Sequence, residues 1–149
     1  MSTLFSPLTL PCGLQLANRV CLAPLTNTQS HLDGTLSDDE LEWLRARARG
    51  GFGWISTCAA YVSDEGKAWK GQLGIANDSH DAGLARLAEA LHAEGTLCGV
   101  QLHHAGLKAD KCPGPKLAPM ASEDGSVRAA TDADLERVID DYVSAARRA

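Results

Sequence analysis

The apolar residues of this chain fall into short runs separated by longer segments with a different spacing. Runs of strand length cover about residues 19–25, 52–60 and 97–103, and each ends abruptly in polar residues. Continuous apolar runs of this length are typical of strands that are buried on both faces of a parallel sheet. We therefore predict three parallel strands that present polar side chains at their carboxyl ends.

The segment after the first strand has the signals of an amphipathic helix at residues 38–49. Ser37 and Glu40 have the spacing of a capping box, in which each side chain bonds the free backbone amide of the other residue. Gly50 and Gly51 follow and are expected to end the helix. The pattern predicts that the Glu40 side chain is part of the helix cap.

Two further helices are predicted from apolar residues that recur every three or four positions. The second covers about residues 80–94, and its apolar stripe consists of Leu84, Leu87, Ala88 and Leu91. The third begins after Thr131, a predicted N-cap, and its predicted buried face consists of Leu135, Val138, Ile139, Tyr142, Val143 and Ala146. Neither glycine nor proline stops this helix before the last residue, so we expect a fragment, one half of a split protein, or part of a longer chain.

The remaining segments decide between two folds. Residues 5–20 predict a short β-hairpin, and residues 105–130 predict a loop rich in proline and glycine. Repeated β–α units imply a parallel sheet, which both a doubly wound sheet and a barrel satisfy. A doubly wound nucleotide fold prefers a glycine-rich turn after its first strand, whereas residues 24–28 contain no glycine. We therefore predict an α/β fold, a (β/α)8 TIM barrel, of which this chain supplies the N-terminal hairpin and the first three β–α units.

Composition narrows the partners and the compartment. The chain has 44% hydrophobic and 22% charged residues and a net charge of −5, as in ordinary soluble globular proteins. It has no basic stripe for a nucleic acid, no apolar run of about 20 residues for a membrane span, and no signal peptide. Its five cysteines form no CxxC pair, so we expect reduced thiols and a cytoplasmic protein.

The strand ends hold the candidate functional residues, because a barrel places its site at the carboxyl ends of its strands. The hydroxyl of Thr26 either donates to a carbonyl of an electron-accepting ring or satisfies a turn, and spacing alone favours the turn. The amide of Gln101 needs partners, which either a flat heterocycle or neighbouring side chains supply. His103 and His104 point to opposite faces of a strand, so we predict no metal site.

Six segments of the chain are informative together, namely Leu4–Leu8, Leu16–Val20, Ala23–Thr26, Asp64–Lys67, Gly71–Ile75 and Gln101–Lys108. In their order and near-family spacing they resemble the Old Yellow Enzyme family of flavin-dependent ene reductases. Residues 109–149 match only in general pattern. The resemblance implies that residues 1–149 are the N-terminal part of a single FMN-binding TIM-barrel domain.

The resemblance also implies the residues that contact FMN, which are Ala23, Pro24, Leu25, Thr26, Ala59 and Gln101. The backbone of the first three would line the flavin ring. Thr26 would direct its hydroxyl at the flavin and tune its redox potential, which makes it the implied catalytic residue. Gln101 would bond the pyrimidine part of the ring, and Ala59 would contact its edge.

Two residues are implied to contact the substrate. Some relatives have a tyrosine at the position of Thr28, and threonine does not replace that phenol. Trp69 lies near the position where relatives shape the substrate pocket, although packing on the barrel rim is the favoured alternative.

The implied activity is an FMN-dependent oxidoreductase that passes hydride from NAD(P)H through the flavin to an activated C=C bond of a small-molecule alkene. The groups that bind the substrate carbonyl, donate the proton and hold the FMN phosphate would lie beyond Ala149, in the remaining C-terminal part of the barrel. Two alternatives stay open. One is a non-catalytic partial barrel or split-protein half that needs a complementary chain, and the other is a related flavin enzyme of the dienoyl reductase or demethylase type. A homo-oligomer is compatible with each.

Overall fold

The backbone of residues 3–149, which the computed structural model describes, follows the predicted order of strands and helices. The strands are β1 (Leu8–Thr9), β2 (Gln15–Leu16), β3 (Cys21–Leu22), β4 (Trp54–Tyr61), β5 (Leu97–His103), β6 (Lys116–Ala118) and β7 (Val127–Ala129). The α-helices are α1 (Asp38–Arg49), α2 (Asp81–Ala93) and α3 (Asp132–Arg148). Short 3-10 helices cover Thr3–Phe5, Asp64–Gly66, Asp78–His80 and Gly106–Lys108.

The main sheet has three parallel strands in the order β3-β4-β5. Helix α1 lies between β3 and β4 in the chain, and α2 lies between β4 and β5, so the predicted parallel β–α units are confirmed. Strand β3 pairs with β4 only at Cys21 and Leu22, although the sequence predicted a strand over residues 19–25. Pro24 helps to explain the early end, because proline has no amide hydrogen for a sheet bond.

The core lies between this sheet and helices α1 and α2. Its fully or almost fully buried members include Leu44, Ala48, Ile55, Cys58, Ala60, Leu87 and Leu91. The predicted stripe of the second helix is confirmed, because Leu84, Leu87 and Leu91 are the buried residues of α2. From β5, Cys98, Val100 and Leu102 pack against this core.

Gly99, Gln101 and His103 alternate along β5 with the core-facing residues Cys98, Val100 and Leu102. They lie on the other side of the sheet, because neighbouring residues of a strand face opposite ways. We call this side of the sheet the open face. Gln101 is exposed there, and so is Cys21 on β3. In a closed barrel this side of the sheet is the interior.

Two small sheets lie outside the main sheet. Strands β1 and β2 form the predicted antiparallel hairpin, with Leu8 opposite Leu16. Strands β6 and β7 form a parallel pair, with Lys116 opposite Val127, in a segment that the sequence predicted as a loop. With three residues each, these strands are too short for a period-two pattern to be recognised.

Helix α3 confirms its predicted buried face only in part, since Val138 and Tyr142 are half-buried and Tyr142 packs against the core. Thr131 caps the helix as predicted, with its hydroxyl accepting from the amide of Asp134. However, Leu135, Ile139 and Val143 are 53%, 61% and 43% exposed, and Ala146 is also exposed. An apolar stripe is buried only where another element covers it. No element within residues 3–149 covers these side chains.

Ion pairs tie the segment between β5 and α3 to the rest of the fold. The Arg128 guanidinium donates to both carboxylate oxygens of Asp134, at 2.5 and 2.7 Å. Arg137 on α3 reaches Glu65, in the turn after β4, at 2.6 Å. Hydrogen bonds to its carboxylate, chiefly the one from Arg128, lower the pKa of Asp134. The carboxylate therefore stays charged and holds the start of α3 against β7.

None of the helices in the described part of the chain has both the length and the apolar character needed to cross a membrane.

Candidate functional site

The predicted FMN contacts lie at the carboxyl ends of the three strands of the main sheet. Ala59 on β4 is directly opposite Gln101 on β5 in the sheet register. The segment from Ala23 to Thr26 follows β3, on the other side of β4. Within it Ala23, Leu25 and Thr26 are exposed, and Pro24 is half-buried. The fold therefore brings the six predicted cofactor contacts to one end of one sheet.

The side-chain polar groups of Thr26 and Gln101 have no partner among residues 3–149. The backbone amide of Gln101 donates to the hydroxyl of Thr57 at 3.3 Å, whereas its side-chain amide is exposed and makes no hydrogen bond to a described residue. An amide offers both donors and an acceptor, and a hydroxyl offers one of each. These unpaired side-chain groups are therefore available to a ligand at this end of the sheet.

A buried carboxylate lies beneath the segment that follows Thr26. Glu40 is 0% exposed. Its Oε1 accepts from the amide of Asn27 at 3.0 Å and from the thiol of Cys58 at 3.0 Å, and its Oε2 accepts from the hydroxyl of Ser30. We call these four residues the Glu40 cluster. Because Asn27 is the neighbour of Thr26, the cluster fixes the start of this loop to helix α1.

The Glu40 cluster corrects the predicted capping box. Ser37 does cap α1, since its hydroxyl accepts from the amide of Glu40 at 3.1 Å. The Glu40 side chain, however, points into the core, where it accepts from the other three residues of the Glu40 cluster. Burial, together with the nearby Glu40 charge, raises the pKa of the Cys58 thiol far above its usual range, so the thiol remains protonated and acts as a donor.

Thr28 has a backbone conformation that is unusual for its residue type. Its φ angle is 56°, and it is the only residue other than glycine with a positive φ in the described range. A β-branched residue is strained in this left-handed region. The next turn of the chain is fixed by a hydrogen bond of 3.1 Å from the amide of Ser30 to the carbonyl of Gly71. Strain of this kind often accompanies functional loops, and the predicted substrate contact at Thr28 stays a prediction.

The strain at Thr28 predicts a gain in stability on substitution. We expect Thr28→Asn to raise the free energy of unfolding by about 1 kcal/mol, because asparagine adopts the left-handed conformation at lower cost. Chemical denaturation followed by circular dichroism measures this change. Thr26→Asn is the matched control, since Thr26 is equally exposed and has no positive φ. Equal effects at the two positions would contradict the assignment of strain to Thr28.

Trp69 lies beside His103, a residue that the sequence did not single out as part of the site. The two ring centroids are 5.8 Å apart and their planes are tilted by 51°. Both side chains are half-buried, and Nε1 of Trp69 is a buried donor without a partner. The alternation from Gln101 to His103 was the sequence signal that places both residues on one face of β5.

His104 faces a different environment, as the strand alternation predicted. It packs against Gly66, and its Nδ1 accepts from the amide of Gly106 at 3.1 Å. Burial lowers the pKa of His103 and of His104, which favours the neutral form of both imidazoles. Across residues 3–149, no three His, Cys, Asp or Glu side chains are grouped so that they could hold a metal ion.

Comparison with known proteins places this geometry in a family. Residues 3–149 match the NADH:flavin oxidoreductase / NADH oxidase family. The chain is 35% identical to YqiG of Bacillus subtilis, a probable NADH-dependent flavin oxidoreductase, over 98% of this chain and 41% of that protein. It is also 35% identical to the NADH:fumarate oxidoreductase of Klebsiella pneumoniae, over 98% of this chain and 16% of that protein.

Solved structures agree with the fold. Morphinone reductase in complex with tetrahydroNAD superposes with a TM-score of 0.86 at 28% identity, over 99% of this chain and 46% of that one. The Old Yellow Enzyme from a Pichia species superposes with a TM-score of 0.88 at 24% identity, over 98% of this chain and 42% of that one. The predicted fold, the first β–α units of a (β/α)8 barrel, is confirmed.

The chain spans less than half the length of each of these four relatives. The match to the family model nevertheless extends over residues 3–149, which is every residue that the structure describes. The resemblance to the Old Yellow Enzymes is therefore confirmed, and the chain belongs to the NADH:flavin oxidoreductase / NADH oxidase family.

Proposed function

We propose that this chain forms one side of the FMN site in an oxidoreductase that uses NAD(P)H to reduce an activated C=C bond of a small molecule. The observation that carries the proposal is the exposed amide of Gln101, which has no protein partner and lies opposite Ala59 at the carboxyl end of β5. Family membership supplies the identity of the cofactor and of the reductant.

Each residue of the proposed site has a separate role in binding FMN or the substrate. When bound, FMN supplies the hydride-transfer chemistry. The Gln101 amide binds the pyrimidine edge, where its donors and its acceptor match alternating groups of the ring. The backbone of residues 23–25 lies along the ring, and the Thr26 hydroxyl donates to it, which tunes how readily the ring accepts electrons. Thr28 and Trp69 border the space for the alkene.

The rest of the barrel is proposed to come from further polypeptide. Gln101 and Cys21 are exposed on the open face of the sheet, and three large apolar residues of α3 are also exposed. An exposed apolar stripe of this kind favours a covering element. The proposed C-terminal part covers it and supplies the groups that bind the substrate carbonyl, donate the proton and hold the phosphate. All five thiols are free, which supports the proposed cytoplasmic location.

Flavin binding tests the proposal. The chain is produced alone and as a fusion to the part of YqiG that follows the aligned segment, and the visible absorbance of the purified protein reports bound FMN. We expect the fusion to be yellow and to oxidise NAD(P)H in the presence of cyclohexenone without oxygen. A colourless, folded fusion would overturn the proposal, whereas a yellow isolated chain would overturn only the need for further polypeptide.

Gln101 provides the residue-level prediction. Gln101→Leu is expected to weaken FMN binding about 10- to 100-fold, because the polar edge of the ring then loses its partner. Fluorescence titration of the apo-fusion with FMN measures the change. Gln15→Leu, at an exposed glutamine on β2, is the matched control and is expected to bind FMN as the parent does. Unchanged binding in Gln101→Leu would remove this residue from the site.

A further inference from the structure

The buried amide of Gln72 has an orientation that its two backbone partners determine. Gln72 is 0% exposed. Its Oε1 accepts from the amide of Ala68 at 2.8 Å, and its Nε2 donates to the carbonyl of Ala59 at 3.0 Å. A backbone amide only donates and a backbone carbonyl only accepts. The oxygen and nitrogen of this side chain are therefore assigned without the usual ambiguity of an amide.

This orientation fixes the tautomer of His103. Nε2 of Gln72 lies 3.2 Å from Nδ1 of His103. An amide nitrogen has hydrogens and no free lone pair, so Nδ1 is the acceptor and has no hydrogen. In a neutral imidazole the single hydrogen is then on Nε2. Burial and the neighbouring His104 lower the pKa of His103, which is consistent with the neutral form.

The Nε2 hydrogen of His103 has no partner among the described residues. No described residue bonds Nε2, and this atom is not among the buried polar atoms that lack a partner, so it reaches solvent. His103 is on the open face with Gln101, two residues further along β5. The Trp69 ring packs beside the imidazole and limits its rotation.

We propose that Gln72 is a positioning residue that holds His103 as a neutral N–H donor. We further propose that His103 thereby donates to an acceptor oxygen of the substrate beside the flavin, in addition to the groups proposed to come from the C-terminal part. The role toward the substrate rests on the proposed function, whereas the tautomer does not. Gln72 acts only through His103, since its own three hydrogen bonds are all to protein atoms. The arrangement favours substrates with an exposed carbonyl or carboxylate oxygen over wholly apolar alkenes.

The tautomer is tested directly by nuclear magnetic resonance. Long-range proton–nitrogen spectra of the nitrogen-15-labelled protein near pH 7 distinguish the two neutral tautomers and the charged form of each histidine. We expect His103 to have its hydrogen on Nε2. A hydrogen on Nδ1 or a charged ring at His103 of the unmodified protein would overturn the inference. This test needs no variant.

Two variants of Gln72 then test the cause. Gln72→Met keeps a similar volume without a donor, and we expect a mixture of tautomers at His103. Gln72→Glu replaces the donor by an acceptor, and we expect the hydrogen to move to Nδ1 or the ring to become charged. If both variants fold and His103 keeps its tautomer, Gln72 does not set it.

Steady-state kinetics of the flavin-loaded fusion test the role toward the substrate. His103→Phe is expected to raise KM for cyclohexenone about tenfold while FMN affinity is unchanged. His31→Phe, at an exposed histidine before α1, is the control and is expected to leave KM unchanged. Failure to bind FMN would count against the proposed function alone. Normal FMN binding with an unchanged KM in His103→Phe would overturn this inference alone.

Discussion

Glu40→Ala is expected to lower the free energy of unfolding by about 4 kcal/mol, because it leaves buried polar partners unpaired and creates a cavity. Glu40 is 0% exposed, and its carboxylate accepts from Asn27, Ser30 and Cys58. Each of these donors loses its acceptor in the variant, and two of them, Ser30 and Cys58, are buried. Chemical denaturation of the protein, followed by circular dichroism, measures the loss.

Glu42→Ala is the matched control on the same helix. The Glu42 side chain is 55% exposed and pairs with Arg45 at 3.5 Å and with Arg49 at 3.8 Å. Exposed ion pairs contribute little, so we expect a loss of about 0.5 kcal/mol. Similar losses in the two variants would show that the Glu40 cluster does not stabilise the fold as the geometry indicates.

A second variant separates charge from shape at the same position. Glu40→Gln keeps the volume and one acceptor oxygen but replaces the other oxygen by a donor group. The amide group then faces either Ser30, whose hydroxyl can turn and accept from it, or the donors Asn27 and Cys58, which cannot both be satisfied. We therefore expect a loss between those of Glu40→Ala and Glu42→Ala. In the flavin-loaded protein, weaker FMN binding in Glu40→Gln would indicate that the cluster also orders the loop next to Thr26.

The sequence predicted those features whose contacts are close along the chain. The stripe of α2 was correct, because Leu84, Leu87 and Leu91 meet the same core from neighbouring turns. The Ser37–Glu40 spacing predicted a local cap and was right only for Ser37. The partners of the Glu40 side chain are 10, 13 and 18 residues away, and no local pattern contains them.

The candidate site was predicted only in part for the same reason. Strand ends and side-chain alternation identified Thr26 and Gln101 as residues to examine. The sequence indicated His103 only as half of a possible metal pair, because Gln72, which determines its tautomer, is 31 residues away. The exposed stripe of α3 shows a further limit, since a periodic pattern predicts a face that needs cover and does not identify what covers it.

Gly71 is expected to tolerate no side chain. Its φ angle is +69°, and an added Cβ would overlap the carbonyl oxygen of Thr28, lie 2.9 Å from its carbonyl carbon, and lie 3.1 Å from the carbonyl oxygen of Ser30. These are backbone atoms of the loop that the Glu40 cluster fixes, so they cannot move aside as a flexible side chain does. We expect Gly71→Ala to lower the free energy of unfolding by about 3 kcal/mol, the sum of the left-handed strain and the clash.

Gly95→Ala isolates the first of these two contributions. Gly95 has a similar φ of +78°, but an added Cβ there meets no atom within 4 Å, so only the left-handed strain of about 1 kcal/mol remains. Denaturation of both variants under the same conditions gives the clash as the difference between them. Because the atoms that would clash belong to Thr28 and Ser30, Gly71→Ala is also expected to displace the loop next to the proposed flavin site. Gly95→Ala, at the end of α2, is not expected to displace this loop. Equal losses in the two variants would mean that the loop after Thr26 rearranges with little loss of stability. The contacts described would then not hold its conformation.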